Sequence, residues 1–390
     1  MATPQMPAWH RVDQIGSLIR PTELVDAFEQ HERGALNDAG LRVLQDRAIN
    51  EALARQQSMQ FPIAVDGEFR RQGFQDSFGQ AVSGFEAKSA NPTRSEEERA
   101  RSGRVETGID APGRPISTRQ PAVERLRLTH NVPLDEYQFA SQATTQAVKV
   151  AIIGPDRVAQ RFRWEQSLSV YEGLDDFVND VVSIERQMIQ GLAEAGCPYV
   201  QIDAPGYTAY VDAPSMERMR SRGEDPEQNL TRSIAADNAL IAGFPDVEFG
   251  IHICKGNSRT IDPATGKVIA QWHREGYYDA IAERLFTELN HKRFLLEYDD
   301  ERSGSFEPLR FIPKDRIAVL GLVSTKRSDV ETVDELKRRI EEASRYLPVE
   351  QLSISPQCGF ASGIGGITVG EDAQWRKLEV LLETARQVWG

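Results

Sequence analysis

The chain has 390 residues, of which 40% are hydrophobic and 27% are charged, proportions typical of a soluble globular protein. No segment approaches the roughly 20 apolar residues of a membrane helix, and the amino terminus lacks the apolar core of a secretory signal, so we expect a cytoplasmic protein without a membrane partner. The formal net charge of −13 argues against nucleic-acid binding, which usually requires a basic face.

Eight short apolar runs, most of them continuous rather than alternating, predict strands that are buried on both faces. They cover residues 10–17, 61–68, 147–155, 197–205, 247–256, 293–300, 316–325 and 352–359. Segments with helical periodicity separate most of them, most clearly at 41–57, 174–196 and 332–347. Eight strands that alternate with helices predict an α/β fold of the TIM (β/α)8 barrel type. A doubly wound open sheet is the rival, but no G-x-G-x-x-G follows an early strand.

The chain is longer than the roughly 250 residues of a typical TIM barrel. The excess falls between the second and third predicted strands, where residues 85–145 include a polar stretch rich in Gly, Pro and Arg. This composition predicts an inserted loop or hairpin region within a single catalytic domain that spans residues 1–390. The sequence leaves open whether residues 91–115 form a lid and whether the chain forms a homo-oligomer.

Polar residues that can perform chemistry are concentrated at the ends of the predicted strands. In a barrel, the carboxyl ends of the strands meet at one mouth, where catalytic residues gather. Seven of the eight strands end on a titratable or nucleophilic side chain. These residues are Ser17, Asp66, Glu68, Asp203, His252, Cys254, Glu297, Asp299, Asp300, Ser324, Lys326 and Cys358.

His252 and Cys254 are candidates for a metal site because residues two apart in a strand project to the same side. Glu297 and Cys358 end later strands and can reach the same mouth. Imidazole, thiolate and carboxylate groups suit Zn²⁺, whereas Mg²⁺ and Ca²⁺ prefer oxygen ligands. An isolated H-x-C is also compatible with a packed core pair, so the metal hypothesis depends on the two later residues. Cys197, before a proline, is predicted to be a buried, inert side chain.

Six motifs resemble the catalytic barrel of cobalamin-independent methionine synthase. The segments "IHICKGN" (251–257), "LLEYDDERSG" (295–304) and "SISPQCGF" (353–360) resemble its zinc-binding half, and "DQIGSLIRP" (13–21), "DGEFRR" (66–71) and "VQIDAP" (200–205) resemble its substrate-binding segments. The likeness runs from about residue 10 to 360 and excludes the second barrel of the long enzymes. It implies a TIM barrel of the short, single-barrel kind, whose members act on diverse substrates.

The resemblance also implies roles for individual residues. The implied zinc ligands are His252, Cys254, Glu297 and Cys358. Ser17 and Asp203 match positions that hold the carboxylate and the amine of an amino-acid thiol, and Glu68 matches a carboxylate near the same substrate. Glu68 is also compatible with a simple ion pair to a following arginine. Lys326 lies near the position of a family histidine that acts as a general acid, so it is a candidate acid or a binding group for an anion.

Two cysteinates, one carboxylate and Zn²⁺ sum to −1, and such an electron-rich site favours alkylation of a thiol over hydrolysis, which needs a more positive ion. We therefore expect a zinc-dependent thiol methyltransferase or alkyltransferase. Homocysteine is the expected thiol, with methionine as product and a methylated folate or a methyl-corrinoid protein as donor. The alternatives are an epoxide-opening transferase with a thiol such as coenzyme M, and a metal-free decarboxylase related to uroporphyrinogen decarboxylase.

Overall fold

Strands and helices alternate along most of the chain. The computed structural model describes residues 8–86, 120–261, 268–272, 274–364 and 369–390. Their strands are β1 (Val82–Phe85), β2 (Ala122–Leu128), β3 (Lys149–Ile153), β4 (Tyr199–Asp203), β5 (Glu248–Ile253), β6 (Asn257–Ile261), β7 (Val268–Trp272), β8 (Arg293–Glu297), β9 (Ile317–Val323) and β10 (Leu352–Pro356). Their α-helices are α1 (Thr22–Glu32), α2 (Asp38–Ser58), α3 (Asp76–Gly79), α4 (Val132–Ala143), α5 (Pro155–Arg161), α6 (Leu174–Glu194), α7 (Ala213–Ser221), α8 (Pro226–Ile241), α9 (Ala282–Glu288), α10 (Val333–Ser344) and α11 (Glu371–Trp389). None of these helices combines the length and the apolar character that a bilayer span requires.

Six strands form a parallel sheet in the order β10–β9–β8–β5–β4–β3. Every residue of β3, β4, β8, β9 and β10 is buried. Burial on both faces explains why these strands appear in the sequence as continuous apolar runs. All six coincide with predicted strands, so the predicted α/β class with a parallel sheet is confirmed.

The first two predicted strands are not regular strands. Val12 makes one parallel bridge to Ile354 in β10, and Ala64 makes one to Val148 beside β3. The described residues therefore form a six-stranded sheet with a bridging segment at each edge. The first bridging segment, residues 10–17, lies beside β10, and the second, residues 61–68, lies beside β3. No closed eight-stranded barrel is seen in the described residues. Pro62 contributes to the absence of a regular strand at residues 61–68, because a proline has no backbone N–H to donate to a strand ladder.

Side-chain amides occupy the space where a backbone ladder would join the two bridging segments. Gln14 Nε2 donates to the carbonyl of Ile63 at 2.7 Å and to Gln56 Oε1 at 2.8 Å. Gln56 also bonds both backbone groups of Val65, at 3.0 Å from the N–H and 2.9 Å from the carbonyl. These buried amides satisfy backbone groups that would otherwise lack partners, so the segments are held in place without forming strands.

The region predicted as an insertion holds regular structure at its two ends. Strand β2 pairs with β1 in an antiparallel ladder, and helix α4 follows with Asn131 as its N-cap, whose side chain accepts a hydrogen bond from Leu134 N at 3.2 Å. The segment considered as a lid falls within residues 87–119, outside the described residues. A second antiparallel pair, β6 with β7, was not predicted from the sequence.

The three clearest predicted helices are confirmed as α2, α6 and α10. Helix α6 shows why the periodicity was informative, since Phe177, Val181, Ile184 and Met188 recur at intervals of three or four residues and are all buried. Such a stripe lies on one face of a helix. Burying each of these side chains contributes roughly 1.5–3 kcal/mol, which keeps α6 packed on the rest of the domain.

Candidate metal and substrate site

The carboxyl ends of the parallel strands bring the candidate residues to one edge of the sheet. Asp203 is the last residue of β4 and pairs in register with His252 in β5. Cys254 follows β5 directly, Glu297 is the last residue of β8, and Cys358 lies two residues beyond β10. Residues far apart in sequence therefore become neighbours because their strands are parallel.

His252, Cys254 and Cys358 form a compact, buried group, which we call the three-ligand group. Their candidate ligand atoms all lie within 4.8 Å of one another, and the two sulfur atoms are 4.0 Å apart. Neither ring nitrogen of His252 makes a hydrogen bond of normal geometry within the described part of the chain. Buried polar atoms are rarely left unpaired, and this donor set fits Zn²⁺, which takes imidazole and thiolate ligands.

The protons of the three-ligand group are unevenly distributed. The hydrogen bond donated by the Cys358 thiol lowers the pKa of Cys254 well below its usual value, against the effect of burial, and His252 lowers it further. The same hydrogen bond, together with burial, raises the pKa of Cys358. Burial alone would lower the pKa of His252, but Cys254 and Asp203 raise it. One sulfur is thus favoured as a thiolate, the form that binds metal.

Glu297 lies outside the three-ligand group and has both carboxylate oxygens engaged. Oε2 accepts a hydrogen bond from the backbone N–H of Lys255 at 2.7 Å, and Oε1 accepts one from the guanidinium of Arg302. Glu297 is nevertheless close enough to help raise the pKa of His252. The structure therefore brings together three of the four expected zinc ligands and holds the fourth nearby in an ion pair.

Lys326 binds an acidic group formed by Glu297, Asp299 and Asp300. Its ammonium lies 3.2, 2.9 and 2.6 Å from carboxylate oxygens of these three residues. Burial alone would lower the pKa of Lys326, but Glu297 and Asp299 raise it. The lysine considered as an acid or an anion-binding group is thus surrounded by carboxylates.

Ser17 lies beside the loop that carries Cys358. A Cβ atom added to Gly359 would stand 1.9 Å from Ser17 Oγ, and the backbone N–H of Phe360 donates to the carbonyl of Ser17 at 2.9 Å. The absence of a side chain at Gly359 therefore allows the Ser17 hydroxyl to lie against the loop that carries Cys358.

Glu68 and Asp203 supply two buried carboxyl groups to the same region. Burial raises the pKa of each, and the charge of Asp203 raises the pKa of Glu68 further. Glu68 has a positive φ of 56°, a conformation uncommon for residues other than glycine, and its Oε2 lacks a hydrogen-bond partner among the described residues. Two neighbouring carboxyls with an unbonded oxygen favour a cationic ligand group.

Two side chains that support these carboxyls were not assigned a site role from the sequence. Arg71 binds Glu136 at 2.6 Å and approaches Glu68 at 3.5 Å, which is the ion pair that the sequence left open. Gln201 donates to Asp203 Oδ1 at 2.7 Å. The period of two in a strand was the available signal for Gln201, since it precedes Asp203 by two residues.

A protein family and several curated relatives match this chain over most of its length. A family described as "Cobalamin-independent synthase, Catalytic domain" matches residues 12–262. The Bacillus subtilis (strain 168) protein YxjH is 31% identical over 391 residues, which cover 99% of this chain and 96% of that protein. A methionine synthase of Pyrococcus abyssi is 24% identical over 347 residues, 89% of this chain and 85% of that protein.

The fold is also similar to a solved structure. The crystal structure of a putative vitamin-B12 independent methionine synthase from Listeria monocytogenes superposes with a TM-score of 0.72 at 25% sequence identity. The match covers 97% of this chain and 98% of that one. The similarity in fold therefore extends over almost the full length of both chains.

Proposed function

Because the chain belongs to the cobalamin-independent synthase catalytic-domain family, we propose that it is a zinc-dependent thiol methyltransferase that makes methionine from homocysteine. Membership of this family supports methyl transfer to a thiol. The observation that carries the zinc assignment is the buried three-ligand group, whose ligand atoms lie within 4.8 Å of one another and whose imidazole makes no hydrogen bond of normal geometry to the described residues. The same thiols need a reducing compartment, which supports a cytoplasmic location.

We assign His252, Cys254 and Cys358 to hold the ion, with Glu297 as the fourth ligand. When bound there, Zn²⁺ would remove the proton of a substrate thiol and keep the sulfur nucleophilic. A carboxylate oxygen carries two lone pairs, so Glu297 Oε2 can bind the ion while it accepts the N–H of Lys255, and Oε1 can remain paired with Arg302 and Lys326.

We assign Ser17, Glu68 and Asp203 to the amino-acid end of the thiol. Two buried carboxyls next to each other favour a substrate that carries an ammonium group. A coenzyme M-type thiol carries a sulfonate and no ammonium, so these carboxyls offer it no complementary charge, and the same holds for the carboxylate-rich substrate of a decarboxylase. An amino-acid thiol is thus better matched to these charges than either alternative.

The donor is a methylated folate or a methyl-corrinoid protein. The three carboxylates around Lys326 favour a role in neutralising the acidic group over a role in binding an anionic donor. We further propose that the two bridging segments complete a TIM-type barrel, since Gln14 spans the space between them. Such a barrel would enclose all of the assigned residues at one mouth.

Metal analysis tests the proposal directly. Wild-type protein purified without chelator should hold about one zinc per chain, and Cys358→Ser should lose it. Cys197→Ala is the matched control, because this third cysteine is also buried but lies outside the three-ligand group. Wild-type protein without zinc, or equal zinc in Cys358→Ser and wild type, would contradict the assignment.

Two further measurements identify the substrates. Zinc-edge X-ray absorption should show one additional sulfur ligand when homocysteine is added, and a response to coenzyme M alone would favour the epoxide-opening alternative. Methyl transfer to homocysteine from methyltetrahydrofolate and from methylcobalamin, assayed separately, distinguishes the two donors.

A further inference from the structure

A continuous series of buried polar side chains runs through the sheet from its amino edge to the candidate site. Lys149 Nζ lies 2.8 Å from Asp13 Oδ1 and 2.9 Å from Gln201 Oε1. Gln201 Nε2 in turn lies 2.7 Å from Asp203 Oδ1. All four residues are buried, so each hydrogen bond is shielded from water and strengthened accordingly.

The orientation of the Gln201 amide follows from its neighbours. An ammonium group can only donate, so the oxygen of the amide has to face Lys149. Its NH₂ group therefore points the other way and donates to two acceptors, Asp203 Oδ1 and the carbonyl of Ile15, at 2.7 and 2.8 Å. The reverse orientation would set the amide oxygen against both acceptors and its NH₂ group against an ammonium.

These two acceptors belong to different parts of the candidate substrate site. Asp203 ends β4, whereas Ile15 lies two residues before Ser17 in the first bridging segment, which is not held by a strand ladder. One amide thus joins the two elements that carry the proposed ammonium-binding and carboxylate-binding groups. Within the described residues no hydrogen bond reaches Asp203 Oδ2, so the carboxylate keeps one oxygen for a ligand.

We propose that Gln201 is a positioning residue for the amino-acid end of the substrate, which it reaches through Asp203 and through the segment that carries Ser17. The amide neither touches the substrate nor transfers a proton. It holds Asp203 Oδ1 so that Oδ2 faces the ligand, and it fixes the distance from Asp203 to the Ser17 segment. This inference rests on the proposed function, in which the ligand is an amino-acid thiol.

The test compares homocysteine with 4-mercaptobutanoate, which lacks only the amine, by calorimetric titration and by KM with the zinc-loaded full chain. Wild-type protein should prefer homocysteine by about tenfold to a hundredfold, the usual effect of a hydrogen bond to a charged group. Gln201→Leu should lower the affinity for homocysteine more than that for 4-mercaptobutanoate, which keeps only the carboxylate bound by the Ser17 segment, so most of the preference should be lost. A purely structural role would weaken binding of both thiols equally.

A second variant distinguishes hydrogen bonding from shape. Gln201→Glu preserves the size of the side chain but turns a carboxylate oxygen toward Asp203 and the Ile15 carbonyl. The inference therefore expects Gln201→Glu to bind homocysteine more weakly than Gln201→Leu does, whereas a role in packing predicts the opposite order. Gln201→Asn shortens the side chain by one methylene group, so it withdraws the amide from its partners. If Gln201→Leu does not fold, this variant should show the same loss of preference for homocysteine.

Gln351→Leu is the matched control, because Gln351 also donates to two carbonyls, those of Pro313 and Arg316, each at 2.8 Å, near the start of β10. It should retain the wild-type preference for homocysteine. If the Gln201 variants retain the preference too, the inference is overturned. If wild-type protein itself shows no preference, the amino-acid thiol of the proposed function fails, and that result is distinct from failure of the Gln201 variants alone.

Discussion

Replacing Asp13 with asparagine tests the contribution of a buried ion cluster at the amino ends of the strands. The Asp13 carboxylate lies 2.8 Å from Lys149 Nζ, 3.2 Å from Arg293 Nη2 and 2.8 Å from the hydroxyl of Tyr199. The side chains of Asp13, Lys149 and Arg293 have no exposed surface. These contacts tie the first residues of β3, β4 and β8 to the first bridging segment.

The expected cost follows from the separations and the burial. At an effective dielectric constant of about 20, two unit charges about 3 Å apart attract each other by roughly 5–6 kcal/mol, before the cost of removing them from water. Asp13→Asn removes the carboxylate that pairs with both Lys149 and Arg293 and leaves both cations buried. Breaking a buried pair in this way typically costs about 3–5 kcal/mol, and we expect a loss of that size in the free energy of unfolding.

Urea titration followed by circular dichroism measures this loss at neutral pH. Burial opposes ionisation of Asp13, but Lys149 and Arg293 lower its pKa below the usual value. The contribution is therefore present above pH about 4 and is lost as the pH falls further. Asp176→Asn is the control, because its 2.7 Å pair with Arg125 is exposed at the surface and should give no resolvable shift. If the Asp13→Asn protein unfolds with a free energy within about 1 kcal/mol of wild type, less than the usual cost of breaking a buried pair, the predicted contribution of the ion cluster is wrong.

Three other predictions address separate features. Burial, aided by Arg316, lowers the pKa of His291 to about 3; the unfolded chain therefore binds a proton that the folded chain does not between pH about 3 and 6.5. His291 should therefore add a rise of at most about 1.4 kcal/mol per pH unit to the stability profile, so the change in stability from pH 4.5 to 6.5, measured by urea titration, should be less positive for His291→Leu than for wild type. Gly359→Ala should lower the melting temperature, because the new Cβ would stand 1.9 Å from Ser17 Oγ, and adding Ser17→Gly should restore part of it; equal losses in both backgrounds would contradict the clash. Chelation should lower the melting temperature of wild type, since binding to the folded state stabilises it, while the Cys358→Ser protein should not respond.

The strands of the central sheet were predictable because strands buried on both faces consist of continuous apolar residues, a pattern that is local in the sequence. Continuous apolar runs identify β3, β4, β8, β9 and β10 to within three residues at each end. The second bridging segment, residues 61–68, has a similar composition, so the same rule predicted a strand there. Its backbone is instead satisfied by Gln14 and Gln56, which lie 42 positions apart in the chain, and no local pattern encodes such a pairing.

The site was predictable to a similar extent and for a related reason. The carboxyl ends of parallel strands lie at one edge of a sheet, so the location of His252, Cys254 and Cys358 at the same edge follows from topology, although β5 and β10 are not neighbours in the sheet. The position of Glu297 outside this group does not, because it depends on how Arg302 and Lys326 pack around one carboxylate. Tertiary contacts determine side-chain ion pairs of this kind, and the hydrophobic periodicity of the sequence does not predict them.

The distribution of charge along the buried polar series explains why the candidate site favours cations. Lys149 lies between Asp13 and Gln201, and because residue 201 is a neutral glutamine, the ammonium pairs with the Asp13 carboxylate while Asp203 acts on it only from a distance. Asp203 therefore makes no ion pair with a lysine or arginine among the described residues, although it is buried. A glutamate at residue 201 would place a second anion against Asp203, and a lysine would neutralise it from within the protein. The neutral amide does neither. Within the described residues, His252 and Arg71 oppose the rise that burial causes in the pKa of Asp203, and in the proposed function the ammonium of the thiol adds its charge to theirs.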